Sequence, residues 1–518
     1  MKSSRTRRQF LAAASATATL AALSKSVWAS SNASQRFVIR ADEERGRVSA
    51  LLHGQFAEHL GSCIYGGLWV GEESKIPNIN GYRKSAIEYL KALEVPVLRW
   101  PGGCFADDYH WREGIGPKKQ RPKRVNISWG NYVEDNSFGT HEFITLCRLI
   151  GAEPYLAGNV GSGSPSELRD WLEYCNYPSG SKLSDERAAN GSAEPFRVKF
   201  WGVGNENWGC GGSMRPDYYA GLYRQFATYL REMGGMEPFL IASGPSGDDV
   251  RWTRGLLDTT FPVMPDGMSM HYYSGGAKEP THFDASSMDQ QLGSFKAVEE
   301  AVIHQRAVLD GYREGARIGL ILDEWGVWDQ IPEADEKRYG KLWQQSTMRS
   351  GVAAGLGLNL FNRQASKLYM CNIAQIDNVL QSLLLTDGPE GERCVRTTTY
   401  YAFELFKGHR GKTSVNVESD SKDPLGISVS ATLGEGKLVV SLVNPDDTKT
   451  VSTRCDLAGV KGTKATARIL HSPDRNAANT FDAPDTIVPQ DHPARLETGN
   501  LIVQLPPLSL VTVVVETA

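Results

Sequence analysis

The chain has 518 residues, 41% of them hydrophobic, and a formal net charge of −4. That length exceeds one compact domain and suits a large domain with a smaller companion. The near-neutral balance leaves no electrostatic footprint for nucleic acid or for an anionic membrane surface.

The first segment, "SRTRRQFLAAASATATLAAL", pairs Arg7-Arg8 with Phe10-Leu11 and a mildly apolar, Ala-rich run. This is the pattern of a twin-arginine leader, expected over 1–29 with cleavage near Ala29. The run is too short and too weakly apolar for a stable membrane span, and no later segment reads as one. The mature chain is therefore expected in the periplasm or outside the cell, off the membrane. Next, "RFVIRAD" near Arg36 reads as a strand, so 30–50 is expected to join the C-terminal β-sandwich and clamp the two domains together.

From 51 to 390, apolar strand-like runs alternate with amphipathic helices such as "YRKSAIEYLKALE" and "SELRDWLEYCN". The runs are "LLHGQFAE", "VPVLRWPGG", "EPYLAGNVG", "VKFWGVGNE", "FLIASGPSG", "GMSMHYYS", "IGLILDEWG" and "SKLYMCNIAQ". About eight such alternations are what a (β/α)8 TIM barrel, an α/β fold, requires. An open doubly wound sheet is the runner-up, but no GxGxxG follows the first strand. The long loop "GIGPKKQRPKRVNISWGNYVEDNSFG" is expected at the barrel's functional end, its basic run solvated. From 391 to 518, "GISVSATL", "KLVVSLVNP", "KATARIL" and "LIVQLPPLSLVTVVV" predict a C-terminal antiparallel β-sandwich, jelly-roll-like in class.

The runs end in residues that a core rejects: Glu58, Arg99, Asn159, Asn205-Glu206, Ser246, His271 to Tyr273, Glu324 and Gln375. In a barrel these ends share one rim, where the chemistry of such folds is placed. Glu206 and Glu324 close the fourth and seventh runs, roughly opposite in an eight-strand ring. Glycoside hydrolysis needs two such carboxyl groups, and a separation of about 5–5.5 Å gives retention of configuration. A lone Glu at a strand tip is better read as salt-bridged. Two tips, each followed by Trp (Trp208, Trp325), favour chemistry, with the indoles offering flat faces to a sugar. Asp323 is expected to point away from Glu324's side by strand alternation. Arg99 and Tyr273 would keep a neighbouring carboxylate ionised, whereas His271 is equally a satisfied core histidine. The eight cysteines show no CxxC pair and no zinc spacing.

"RWPGGCFADDYHWREGIGP", "FWGVGNENWGCGG", "HYY" and "LDEWGVW" resemble glycoside hydrolase family 51, the retaining α-L-arabinofuranosidases of clan A, from about His53 to the C-terminus. The resemblance implies Glu206 as acid/base and Glu324 as nucleophile. It implies Asn205 at the sugar 2-hydroxyl and Glu58 on arabinose hydroxyls, with Arg99, Cys104, His271, Tyr273, Trp328 and Gln375 around the subsite. It also implies an arabinofuranosyl oligo- or polysaccharide substrate, no metal or organic cofactor, and a homo-oligomer, often a hexamer. One departure is Cys104, where many members have Asn after "PGG". Cys104 and Cys210 are expected near each other at the rim, as a disulfide or as paired thiols, against two independent buried cysteines. The rival functions are another clan A retaining hydrolase, such as a β-xylosidase or endo-β-glucanase, and a carbohydrate-binding protein on a decayed scaffold.

Overall fold

The computed structural model describes residues 33–275, 278–389, 391–419, 421, 423 and 425–518. The leader over 1–29 lies outside these residues. Eight strands close a parallel barrel in chain order: Gly54–Phe56, Val97–Trp100, Glu153–Gly158, Phe200–Val203, Phe239–Ala242, Gly267–Ser274, Gly319–Val327 and Leu368–Ala374. Val97, Tyr155, Phe200, Ile241, Ile321 and Met370 form a buried cluster inside the ring. That layer fills the barrel beneath the rim.

The second domain is one ten-stranded sheet with its own apolar core, including Phe37, Ile39, Val440, Leu442, Val511 and Val513. Ala33–Arg47 sits within it, antiparallel to Thr413–Ser419 and parallel to Val451–Ala458. The sheet is therefore mostly rather than wholly antiparallel. A strand arriving from the far end of the chain is under no hairpin constraint and can pair in either sense.

Helix Thr398–Phe406 falls beyond the expected barrel limit of 390, yet its Tyr400, Tyr401, Phe403 and Phe406 belong to the barrel's core cluster. The sheet resumes only at Thr413. Helix Met348–Arg363 is apolar and small on nearly all faces and is buried along almost its whole length. Such a helix needs partners all round. It lies between barrel and sheet, and a Cβ on Gly355 would sit 2.7 Å from the Leu510 side chain. Asn359 and Asn362 donate to Ser428 and Ser430, fixing the two bodies together with polar contacts as well as packing. No helix among the described residues is long and apolar enough to cross a membrane.

Candidate active site

The seventh barrel strand carries one extra residue. Leu322 pairs with Met270, but Glu324 pairs with His271, so Asp323 is a bulge. Bulges re-aim side chains beside active sites. Here Asp323 and Glu324 both turn toward the barrel axis, correcting the alternation expectation. Asp323 accepts from Tyr155 Oη at 2.9 Å and Asn372 Nδ2 at 2.9 Å, below the rim. Trp325 then faces outward and packs edge-on against Phe361, 1% exposed. It is core, not a sugar platform.

Arg99 is the hub under the site. Its Nη1 donates to Glu324 Oε1 at 2.7 Å, Nη2 donates to Asn205 Oδ1 at 2.5 Å, and Nε lies 3.3 Å from Asp323. A guanidinium buried to 1% exposure needs such partners, because an unpaired buried charge costs several kcal/mol, roughly 3–5 on removal of one partner. Arg99 lines neither pocket of the site; it holds Glu324 and Asn205 from behind. Asn205 Nδ2 is buried and has no hydrogen-bond partner among the described residues.

Tyr273 Oη donates to Glu324 Oε2 at 2.6 Å. His271 Nδ1 lies 2.8 Å from Glu206 Oε1 and 3.5 Å from Glu324 Oε2, so this imidazole bridges the two carboxylates. One carboxylate oxygen of each glutamate lies within 4.8 Å of the other's. Burial alone would raise the Glu324 pKa; the His271 and Arg99 charges, with the Tyr273 hydroxyl, outweigh it and hold it below the usual carboxylate value. Burial likewise opposes charge on His271, but the Glu324 and Glu206 carboxylates raise its pKa. Replacing Tyr273 by Phe removes one of Glu324's donors. The acidic limb of the kcat/KM profile should then move up by roughly one pH unit. An unmoved limb would mean that another group controls it.

A deep, narrow pocket is lined by Glu58, Leu60, Gly103, Cys104, Trp129, Glu206, Tyr273, Glu324, Trp328, Leu342, Gln375 and Leu380. Its floor is built around Glu58. Oε1 accepts from Phe105 N at 3.1 Å and Trp129 Nε1 at 2.9 Å; Oε2 accepts from Gln375 Nε2 at 3.2 Å. Gly103 is required by this floor, since a Cβ there would sit 2.8 Å from the Glu58 carboxylate oxygens. A wider outer pocket adjoins it, with Glu206, Trp208, Ser246, Asp248, His271, Tyr272, Tyr273, Glu300 and Trp328. The Tyr273 and Trp328 rings meet edge to face at 5.1 Å and border both pockets.

Burial and the Glu324 charge push the Glu58 carboxyl up to about 7, against its hydrogen bonds. A carboxyl whose pKa is raised by folding favours the folded state below its unfolded value of 4.5, and that advantage is lost as pH rises through about 7. Wild type should therefore lose ~3 kcal/mol relative to non-titrating Glu58→Gln between those limits. Urea unfolding at a series of pH values measures the gap. A constant gap would show that Glu58 titrates alike in both states.

Two further contributors do not stand at strand ends. Asp107 is buried, and its Oδ1 accepts from Val160 N at 2.7 Å and Gly161 N at 2.8 Å, while Oδ2 accepts from Asn205 N at 2.8 Å. One carboxylate thus ties together the loops after the second, third and fourth barrel strands. Sequence reasoning missed it, although it stands inside the "CFADDYHW" motif, which was the available signal. Asp107→Ala leaves those amides unpaired and frees Asn205, so kcat/KM should fall about 10²-fold with the far-ultraviolet circular dichroism unchanged. Activity within about twofold would rule out the positioning role. Trp129 is the other missed residue: it reaches from the long basic loop to Glu58. That loop is not simply solvated either, since Arg121, 4% exposed at its side chain, pairs with Glu142 at 3.0 Å and Arg124 pairs with Asp108 at 3.4 Å.

Cys104 and Cys210 are joined as a disulfide, with Cα atoms 5.5 Å apart. It bridges the loops after the second and fourth strands, and Cys210 Sγ touches Glu206 Oε2 at 3.5 Å.

The α-L-arabinofuranosidase 1 domain profile matches residues 89–290, and the α-L-arabinofuranosidase C-terminal domain profile matches 323–509. An intracellular exo-α-L-arabinofuranosidase of Bacteroides ovatus is 42% identical over 506 residues, covering 95% of this chain and 97% of its own. This chain belongs to glycoside hydrolase family 51, the α-L-arabinofuranosidases. The solved family 51 arabinofuranosidase of Xanthomonas axonopodis pv. citri superposes with a TM-score of 0.89 at 38% identity, covering 93% of this chain and all of its own. The Thermotoga maritima α-L-arabinofuranosidase, solved as an arabinose complex, gives 0.83 at 30% identity over 93% of this chain and all of its own. The C-terminal domain profile begins at Asp323, inside the barrel. The family's sequence unit therefore joins the last two barrel strands to the sheet, in keeping with the buried helix between them.

Proposed function

We propose that this arabinofuranosidase removes terminal α-L-arabinofuranosyl groups from arabinan, arabinoxylan or their oligosaccharides with retention of configuration. The observation that carries the reading is the approach of Glu206 and Glu324 to within 4.8 Å. That fits the close pair of a retaining enzyme better than the carboxylates about 6.5–9.5 Å apart of an inverting one. Glu324, kept ionised by Arg99, His271 and Tyr273, attacks the anomeric carbon. Glu206, reached from both pockets, gives its proton to the departing oxygen and later takes one from the attacking water. The floor made by Glu58 and Gln375 blocks the chain beyond one sugar, which favours action at chain ends. Asn205 Nδ2 supplies a donor to a ring hydroxyl.

The test is proton NMR of the first-formed sugar from an aryl α-L-arabinofuranoside, run beside aryl β-xyloside and β-glucoside. Turnover of the arabinofuranoside with α-arabinofuranose appearing first supports the reading. A β product would end the double-displacement mechanism, and preference for a β-pyranoside would keep the carboxylate pair but change the substrate.

We also propose export through the twin-arginine leader. Its support is Arg7-Arg8 followed by a short apolar run, together with a disulfide at the rim, since such bonds persist in oxidising compartments. The Bacteroides ovatus relative is named intracellular, so fractionation and N-terminal sequencing decide the matter here. A mature N-terminus near Ser30 in the periplasm is the expected result.

A further inference from the structure

The rim holds a group of soft and hard ligands with no part in hydrolysis as a group. The Sγ atoms of Cys104 and Cys210 and a carboxylate oxygen of Glu206 all lie within 4.8 Å of one another. Cys210 is exposed, and Cys104 and Glu206 are half-buried, so reductants and ions reach them. We propose that the reduced Cys104–Cys210 pair, together with Glu206, forms a site for a thiophilic divalent cation such as zinc or cadmium, and that the disulfide masks it.

The chemistry balances simply. A two-electron reductant, here a water-soluble tertiary phosphine, breaks the S–S bond; the phosphine becomes its oxide with oxygen from water, and each sulfur takes a proton. Metal binding then releases both thiol protons to solvent. Tetrahedral zinc with bonds of about 2.3 Å to sulfur needs the two sulfurs about 3.7 Å apart. Cα atoms 5.5 Å apart allow this by side-chain rotation alone. Glu206 Oε2, already 3.5 Å from Cys210 Sγ, completes three protein ligands, with water as the fourth. His271 Nδ1, 2.8 Å from the other Glu206 oxygen, orients that carboxylate from behind. The site itself is independent of how Glu206 acts in hydrolysis. Inhibition by the ion rests on the proposed acid/base role, because an ion on Oε2 occupies the oxygen that meets the leaving group.

The experiment uses the full folded enzyme, reduced by phosphine, desalted without oxygen and titrated with cadmium. A thiolate-to-cadmium ultraviolet band should rise to one equivalent per chain and be competed by zinc. Cys210→Ser should lose the band, and Glu206→Gln should weaken cadmium affinity by about tenfold or more. Zinc should slow the reduced enzyme by about tenfold or more relative to its own metal-free rate, reversibly with chelator, and leave the oxidised enzyme unaffected. A disulfide that survives phosphine in the folded enzyme overturns the proposal. So does a band kept in Cys210→Ser, which would place the ion on other cysteines. Equal inhibition of oxidised and reduced enzyme also overturns it, by moving the ion to Glu206, His271 and Glu324. A band that Glu206→Gln weakens, without loss of rate, would support the site while sinking the acid/base reading.

Discussion

Glu324→Ala should lower turnover of an aryl α-L-arabinofuranoside by on the order of 10⁵-fold, even with an excellent leaving group. The first bond cannot form without the nucleophile, and no leaving-group chemistry compensates. The variant also strips Arg99 Nη1, Tyr273 Oη and His271 of their shared acceptor. Glu324→Gln keeps the volume and one acceptor oxygen and separates lost chemistry from a collapsed site; both variants should be equally inactive, with Glu324→Ala unfolding at the lower urea concentration. Azide can enter the space vacated in Glu324→Ala and attack the same face, so the rescued product should be the β-L-arabinofuranosyl azide, inverted relative to substrate. Rescue giving the α-azide would assign the nucleophile elsewhere.

Glu206→Ala should behave differently, and the contrast makes the pair diagnostic. Loss of general acid catalysis should cost about 10²–10⁴-fold on sugar leaving groups, which need protonation. Aryl groups of low pKa depart unaided, so their first step should be nearly normal and the glycosyl-enzyme should accumulate as a burst. The second step then lacks its base. Azide needs none, and it should restore turnover with the retained α-azide as product. If good and poor leaving groups suffer alike, Glu206 is not the proton donor. Position supports the distinction: Glu206 borders the outer pocket where a leaving group would lie, whereas Glu324 borders only the deep one.

Much of the site is legible in the amino-acid sequence. The alternation of runs and helices announces the barrel, and Glu58, Glu206, His271, Tyr273, Glu324 and Gln375 stand out because each interrupts an apolar run at its C-terminal end. A barrel converts that one-dimensional position into a shared rim, so their convergence needs only the fold class. Asp323 misleads because the bulge breaks the alternation, whereas Trp325, outward beside inward Glu324, obeys it. Strict alternation fails where one inserted residue shifts every side chain after it, and a bulge is chosen by the neighbouring strand's register rather than by local composition.

What the sequence by itself determined was therefore periodic or local: a barrel, a β-rich second domain, two carboxylates at opposed strand tips, and the family. The tertiary structure alone decided the partnerships. Arg99 lies behind Glu324 rather than in the pocket, Asp107 ties three loops, Trp129 comes from a loop that looks merely basic, and Cys104 and Cys210, expected as neighbours at the rim, are bonded rather than paired thiols. It also decided that Ala33–Arg47 runs parallel to one neighbour and antiparallel to the other. Each is a pairing between residues distant in the chain. A buried donor or charge must find an acceptor, but many acceptors satisfy that demand equally in sequence, and only the packed chain brings one of them within reach.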